Sequence, residues 1–278
     1  MTIKNICQHA QKSYPYLPLG DIELLLAKSL HRSLNYLYKN PEKILARSSI
    51  STFWRLLERR KKNFSIAYLL GHKEFYKLDF LINKHTLVPR PDSEVLIDEA
   101  LKYLTKNKIN SPQIIDIGTG SGCLIISLAK NYQSPALFYA VDNSGQTLKV
   151  AKTNARKYGL KRQINFLKSN LLNKMEENKF DLVLANLPYL TKKQLQEPSI
   201  KREPLNALYG GPDGLSFYKT LLKQIPSYLN KKYLVLLEID PRQDPEIKHL
   251  ATKYFPQAKI EIKKDLAGQA RVLKIENN

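Results

Sequence analysis

The spacing of hydrophobic positions changes twice along the chain. Over the first 70 residues they recur every three or four places. Ile22, Leu24, Leu25, Leu26 and Leu30 make one such stripe, and Phe53, Trp54, Leu56 and Leu57 make another. This spacing predicts helices that each bury one face. Asp21, after Pro18 and Gly20, stands where a helix cap is expected. The segment EFYKLDFLIN (residues 74–83) then alternates as the strands of a hairpin do. Pro89 and Pro91 stiffen the crossing into the rest of the chain. From about Ile114 the pattern becomes strand, helix, strand, helix. The predicted strands are QIIDI (113–117), ALFYAVD (136–142), INFLK (164–168), FDLVLAN (180–186) and YLVLLEI (233–239), with AKIEIKK and ARVLKIE near the end. A helix is predicted from Gln146 to Tyr158.

Alternation of this kind predicts an α/β domain with a mostly parallel sheet covered on both faces. The last two strands, close together in sequence, predict an antiparallel hairpin on a sheet edge. The expected organisation is a helical domain over residues 1–72, a hairpin linker over 73–90 and the α/β domain over 91–278.

Composition narrows the class. The 278 residues are 43% hydrophobic and 25% charged, which excludes a disordered chain. With 11 glycines and 15 prolines, collagen-like and low-complexity designs are excluded too. Two cysteines, Cys7 and Cys123, cannot make a disulfide framework and predict a reducing compartment. Cys123, on the helix after the glycine loop, reads as a small buried hydrophobe. No run of about 18 apolar residues predicts a membrane span. The N-terminus has neither an apolar core nor an arginine before Arg32, so no leader is expected and a cytoplasmic location is. The five histidines lack an H-E-x-x-H or C-x-x-C context, so no metal site is expected. Forty-five basic residues against 25 acidic ones leave a charge of +20. That balance fits an anionic partner such as RNA or a ribosome-associated protein. It equally fits a lysine-biased composition, since only 11 of the 45 are arginine.

In an open α/β sheet, ligands bind beyond the carboxyl ends of the strands. The first strand is followed by Gly118, Thr119, Gly120, Ser121 and Gly122. Such a loop turns tightly and lets a ligand approach the backbone. Lys-Ser/Thr does not follow it, so it is not a Walker loop, and its third glycine comes one residue too early for the dinucleotide fingerprint. Asp142 ends the second strand, where a carboxylate can accept both hydroxyls of a ribose. Asn170 and Leu171 follow the third, as a polar contact and an apolar surface for a purine; an ordinary loop fits them as well. The fourth ends in Asn186-Leu187-Pro188-Tyr189. A planar amide or aromatic amine is a poor nucleophile because its lone pair is delocalised. Reaction there needs acceptors for both N–H groups and a flat surface to hold the plane. The Asn186 side-chain oxygen and a turn carbonyl can be the acceptors, Tyr189 the stacking surface, and Pro188 the restraint on the turn.

The chain resembles the release factor glutamine methyltransferases, a family within the class I S-adenosylmethionine-dependent methyltransferases. The segments DIELLLAKSL, AYLLGHKEFYKLDF, LVPRPDSEVLIDEAL, DIGTGSGCLIISLA, FDLVLANLPYL, EPLNALYGGPDGLSFY and DLAGQARVLKIEN carry the likeness, in order along the chain. The resemblance implies a Rossmann-like catalytic domain behind a small helical domain that recognises substrate. It implies S-adenosylmethionine along Gly118 to Gly122, its ribose on Asp142, and Asn186 at the point where cofactor and substrate meet. The catalytic residues it implies are Asn186, Leu187, Pro188 and Tyr189, acting on the glutamine of the GGQ motif in peptide chain release factors. Arg90 and Pro91 are implied to close the cofactor pocket. The sequence departs from the family at two places, with Leu187 where a second proline is usual and Asn170 where an aspartate is. Restoring proline at 187 is expected to stiffen the turn and to be neutral or mildly activating. Glu203 and Asp213, beside a Gly-Gly turn, read either as shaping a substrate channel or as plain turn residues. Two other readings use the same N-L-P-Y chemistry: an adenine-N6 methyltransferase acting on RNA, and a glutamine methyltransferase acting on a ribosomal protein. A third keeps the fold as a catalytically weakened binding protein.

Overall fold

The computed structural model describes residues 1–175, 178–198 and 200–277. The chain divides into two compact units, Met1–His72 with Glu197–Arg202, and Lys73–Gln196 with Glu203–Asn278.

The first unit is helical: α1 (Ile3–Ser13), α2 (Leu19–Leu30), α3 (Leu34–Lys39), α4 (Arg47–Lys61) and α5 (Ile66–Leu70). Its core gathers Ile6, Ile22, Leu25, Leu26, Phe53 and Leu57, all fully buried. These are the residues of the two stripes together with one position of α1. Thr2, Ser33 and Ser65 cap α1, α3 and α5 through their hydroxyl oxygens. Asp21 is not a cap. Pro18 presets the backbone so that α2 begins at Leu19, which leaves Asp21 inside the first turn. There it favours the positive end of the helix and pairs with Arg60 at 2.7 Å. The run Arg59-Arg60-Lys61-Lys62 closes α4, where positive charge suits the helix dipole. Arg59 and Arg202 both lie over the ring of Phe64, at 4.6 and 5.2 Å. Part of the basic density therefore has a structural use.

The second unit starts with a hairpin, β1 (His72–Phe75) and β2 (Leu78–Leu81). After α6 (Glu94–Asn107) come β3 (Gln113–Ile117), α7 (Cys123–Asn131), β4 (Leu137–Asp142), α8 (Gly145–Lys157), β5 (Ile164–Lys168) and β6 (Phe180–Ala185). α9 (Ser216–Gln224), β7 (Leu229–Glu238), α10 (Asp244–Tyr254), β8 (Lys259–Lys264) and β9 (Ala270–Asn277) complete it. One seven-stranded sheet runs in the order β5-β4-β3-β6-β7-β9-β8. β9 pairs antiparallel with both of its neighbours, and the remaining pairs are parallel. Side chains alternate between two cores. Ile115, Val183, Leu237 and Leu273 pack with α9 and α10; Ile114, Leu182, Leu236 and Val272 pack with α6 and α7. Burial on both faces explains why β6 reads as an apolar run from Leu182 to Ala185.

The hairpin packs on this unit, with Phe75 and Phe80 in the same core as α6 and α7. Asn154 of α8, fully buried, ties it down. Its Oδ1 accepts the Leu81 N–H at 2.9 Å. Its Nδ2 donates to the Leu81 carbonyl at 2.9 Å and to the Ser121 carbonyl at 2.8 Å. One side chain thus joins the hairpin to the glycine loop.

Candidate active site

Strand register assembles the site. Ile117 is level with Val141 on one side and with Ala185 on the other. The next residues, Gly118, Asp142 and Asn186, therefore leave the sheet side by side. Ala185 is in turn level with Leu237, which brings Glu238 beside Asn186. The chain order reverses about β3, the place where such sheets open a crevice. A cavity open to solvent occupies it.

Gly118 and Thr119 both donate their N–H to the Val141 carbonyl, at 2.9 and 3.0 Å. The loop then turns with Gly118 at φ 74° and Gly120 at φ 57°. The two glycines answer different needs. A Cβ on Gly118 would lie 2.8 Å from Cδ2 of Leu187, so it would have to push that side chain aside as well as hold a left-handed φ. A Cβ on Gly120 would meet nothing closer than 3.9 Å, and Gly120 lines the cavity, so the space beside it is open to a ligand. Gly118, Thr119, Gly120, Ser121, Asp142, Asn170, Leu171, Asn186, Leu187 and Pro188 all line the cavity. Gly122 and Tyr189 are not in its lining. Gly122 packs against Ile126 and Ala151.

Asp142 accepts the Gly120 N–H at 3.2 Å on Oδ2 and the Ser144 N–H at 2.9 Å on Oδ1. Each carboxylate oxygen keeps a lone pair for a further donor. Burial raises its pKa, and these two N–H bonds oppose the rise. Asp116, wholly buried beneath the loop, is pushed up to about 7 by burial. The Thr119 hydroxyl donates to it at 2.6 Å and pulls the other way. The folded protein therefore holds a proton that the unfolded chain releases at lower pH, so this group's contribution to stability is lost as pH rises through about 7. Asp116→Asn cannot ionise and keeps an acceptor for Thr119. In the absence of cofactor it is expected to be more stable than wild type at pH 8, by about 2–4 kcal/mol. The gap should narrow to less than half at pH 5 and close below about pH 4, as read by denaturant unfolding across that range.

The turn after β6 is held from behind. The amide nitrogen of Asn186 faces into the protein, Nδ2 donating to Glu238 Oε2 at 2.8 Å and lying 3.2 Å from Ser93 Oγ. Its oxygen is the atom left for the cavity. The Leu187 N–H donates to the buried Tyr218 hydroxyl at 3.3 Å. That hydroxyl in turn donates to the Glu238 carbonyl and approaches the Leu187 carbonyl at 3.4 Å. Tyr189 directs its hydroxyl to Glu238 Oε1 at 3.2 Å. Burial raises the pKa of Glu238, while the Ser93 and Tyr189 hydrogen bonds and the charge of Arg271 oppose it. Gly210 and Gly214 let a second stretch of backbone lie directly on Pro188 and Tyr189, where an added Cβ would clash.

These contacts change the expectation for Leu187. A proline there loses the N–H bond to Tyr218 and the buried side chain that fills the space beside Gly118. Leu187→Pro is expected to cost about 1–3 kcal/mol of stability, seen as a lower denaturation midpoint.

Glu203 is buried, accepts the Val88 N–H at 3.1 Å and pairs with Arg90. Arg90 and Pro89 line the cavity and Pro91 does not. Asp213 accepts the Leu215 N–H at 2.9 Å and pairs with Lys219, as a turn residue does. Cys123 is half-buried and also lines the cavity. Sequence reasoning missed Ser93, Phe217 and His85 in the lining and Glu238 behind it. Only Glu238 carried a signal, as an acidic residue ending an apolar strand. Among the described residues no cluster of three His, Cys, Asp or Glu is placed to hold a metal ion, and no helix is long and apolar enough to cross a membrane.

The residues fit S-adenosylmethionine: an open cradle at Gly120, a carboxylate with spare lone pairs at Asp142 and an apolar wall at Leu171. This strand order, with its single reversed strand and its glycine loop, is that of the Rossmann-like methyltransferases. Residues 93–203 match the family model described as the methyltransferase small domain. Residues 11–71 match the one described as the PrmC N-terminal domain. The chain is 35% identical to the release factor glutamine methyltransferase of Moorella thermoacetica, over 91% of this chain and 89% of that one. To its counterpart in Clostridium botulinum it is 34% identical, over 91% and 90%. The chain belongs to the release factor glutamine methyltransferase family. A bifunctional methyltransferase of Rickettsia bellii is 32% identical over 93% of this chain. The chain spans about half the length of that relative, 51%. A methyltransferase from Pyrococcus furiosus shares the fold, with a TM-score of 0.52 at 18% identity over 80% of this chain and 97% of that one.

Proposed function

We propose that the protein transfers a methyl group from S-adenosylmethionine to the side-chain amide nitrogen of the GGQ glutamine in peptide chain release factors, in the cytoplasm. Asn186 carries this reading. It lines the cofactor cleft with its amide nitrogen turned inward to Glu238 and Ser93, so its oxygen is offered to the substrate as an acceptor. A glutamine amide has two hydrogens to place. Asn186 Oδ1 takes one and the Leu187 carbonyl the other, which turns the face of the nitrogen toward the cofactor. Pro188 restrains the turn, and Tyr189 acts through its grip on Glu238 and through its ring. The cofactor, when bound, supplies a methyl on a positively charged sulfur, electrophilic without a metal. Gly118, Thr119, Gly120 and Ser121 would hold its methionine part, Asp142 its ribose, and Asn170 and Leu171 its purine. One methyl enters the amide and one proton leaves it. The helical unit is the part assigned to recognise the release factor, and the basic surface is assigned to RNA or the ribosome.

The experiment is a competition. The protein and methyl-labelled cofactor are incubated with a purified release factor, a ribosomal protein mixture and RNA. Label on the release factor glutamine supports the reading. Label only on RNA or on a ribosomal protein overturns it.

A further inference from the structure

Glu238 has so far served only as a hold for Tyr189, yet the turn is built around it. It is wholly buried. Its two oxygens receive Ser93 Oγ, Asn186 Nδ2 at 2.8 Å and Tyr189 Oη at 3.2 Å. Tyr218 fixes its backbone by donating to its carbonyl. A polar group this deep survives only when it is hydrogen-bonded, and here each of these three neighbours can serve as a donor. A cation that acts on it is Arg271, next to its register partner Val272 on β9.

The arrangement bears on an ambiguity intrinsic to asparagine. An amide has a donor end and an acceptor end of nearly the same shape, so its neighbours decide which way it faces. With the Ser93 and Tyr189 hydroxyls donating to its two oxygens, the Glu238 carboxylate presents acceptors to its neighbours. Placed behind Asn186, it admits the NH2 end and excludes the oxygen. Ser93, whose own hydrogen is committed to Glu238, offers Asn186 only a lone pair and repeats the selection. Were Asn186 reversed, its N–H groups would face the N–H groups of the substrate amide.

We propose that Glu238 is a positioning residue for methyl transfer, locking the Asn186 amide with its oxygen toward the substrate. The inference rests on the reading of Asn186 as the substrate acceptor. The same hydrogen bond strengthens Asn186 Oδ1 as an acceptor, because hydrogen bonds in series polarise one another.

Glu238→Gln is the discriminating variant. It is isosteric, but its own amide can donate and so permits Asn186 to reverse. Steady-state methylation of a release factor should show kcat lowered by about 10- to 100-fold. KM for the release factor and the affinity for cofactor should be nearly unchanged, a split that a loosened fold would not give. In an Asn186→Ala background the same substitution should have no further effect on kcat, because there is no amide left to orient. Ser93→Ala provides a second route should Glu238→Gln fold poorly; it should lower kcat alone, and only while Asn186 is present. Unchanged kcat in a folded Glu238→Gln overturns the proposal, and so does a double-variant loss equal to the product of the single losses. For the second route, unchanged kcat in Ser93→Ala does the same. Wild-type transfer is measured in the same series. Its absence overturns the functional reading and the anchor with it; its presence beside an unimpaired Glu238→Gln overturns the anchor alone.

Discussion

Asn186→Ala is expected to slow methyl transfer by roughly 30- to 1,000-fold while leaving cofactor affinity close to that of wild type. The magnitude comes from losing one of two groups that orient the amide nitrogen. Removing a single positioned hydrogen-bonding group from a preorganised site costs about 2–4 kcal/mol of transition-state stabilisation. The structure sharpens the expectation, because the Asn186 oxygen is the only polar atom of that side chain not tied to Glu238 or Ser93. No neighbouring side chain on the turn replaces it: Leu187 packs on Gly118, and Tyr189 points its hydroxyl to Glu238. The measurement is single-turnover transfer to a release factor at saturating cofactor. A rate near that of wild type would sink the mechanism and leave the fold untouched.

Asp142→Ala should act on binding instead. A hydrogen bond to a charged group contributes about 1.5–3 kcal/mol, so cofactor affinity should fall by roughly 10- to 150-fold. Two losses coincide. The ribose loses its acceptor, and the Gly120 N–H loses the carboxylate that holds the loop at 3.2 Å. The transfer rate at saturating cofactor should recover most of its wild-type value, since Asp142 lies on β4 and Asn186 on the far side of β3, after β6. Titration calorimetry decides the point, and an unchanged dissociation constant refutes the pocket.

What the chain discloses before folding depends on how far apart the interacting residues lie in sequence. The strands of the sheet were legible because burial on both faces writes short apolar runs. The hairpin β8–β9 was legible because its strands are close in sequence. The glycine loop and Asp142 could be joined without knowing the register, since strand ends in such a sheet face one cleft. The contacts that hold these groups in place could not. Glu238 reaches Asn186 across 52 positions and Glu203 reaches Arg90 across 113. Each pairing exists only once register is set. The start of α2 shows a local failure: Asp21 has the residue type of a cap, but Pro18 had already turned the backbone. Tyr189 shows another kind. An aromatic ring after a strand suggests a stacking surface, and only the folded chain reveals that its hydroxyl is committed to a buried carboxylate.

The side chain of Asn154 has a consequence for how copies of this protein behave in a crowd. A two-stranded hairpin has free edges, and a free edge is a template on which another chain can add a strand. At Leu81 that edge is closed from within. The Asn154 amide takes both the N–H and the carbonyl of Leu81, as the peptide of a third strand would. An amide placed there works as a counterfeit neighbour, and the hairpin has no vacancy at that point for a stranger.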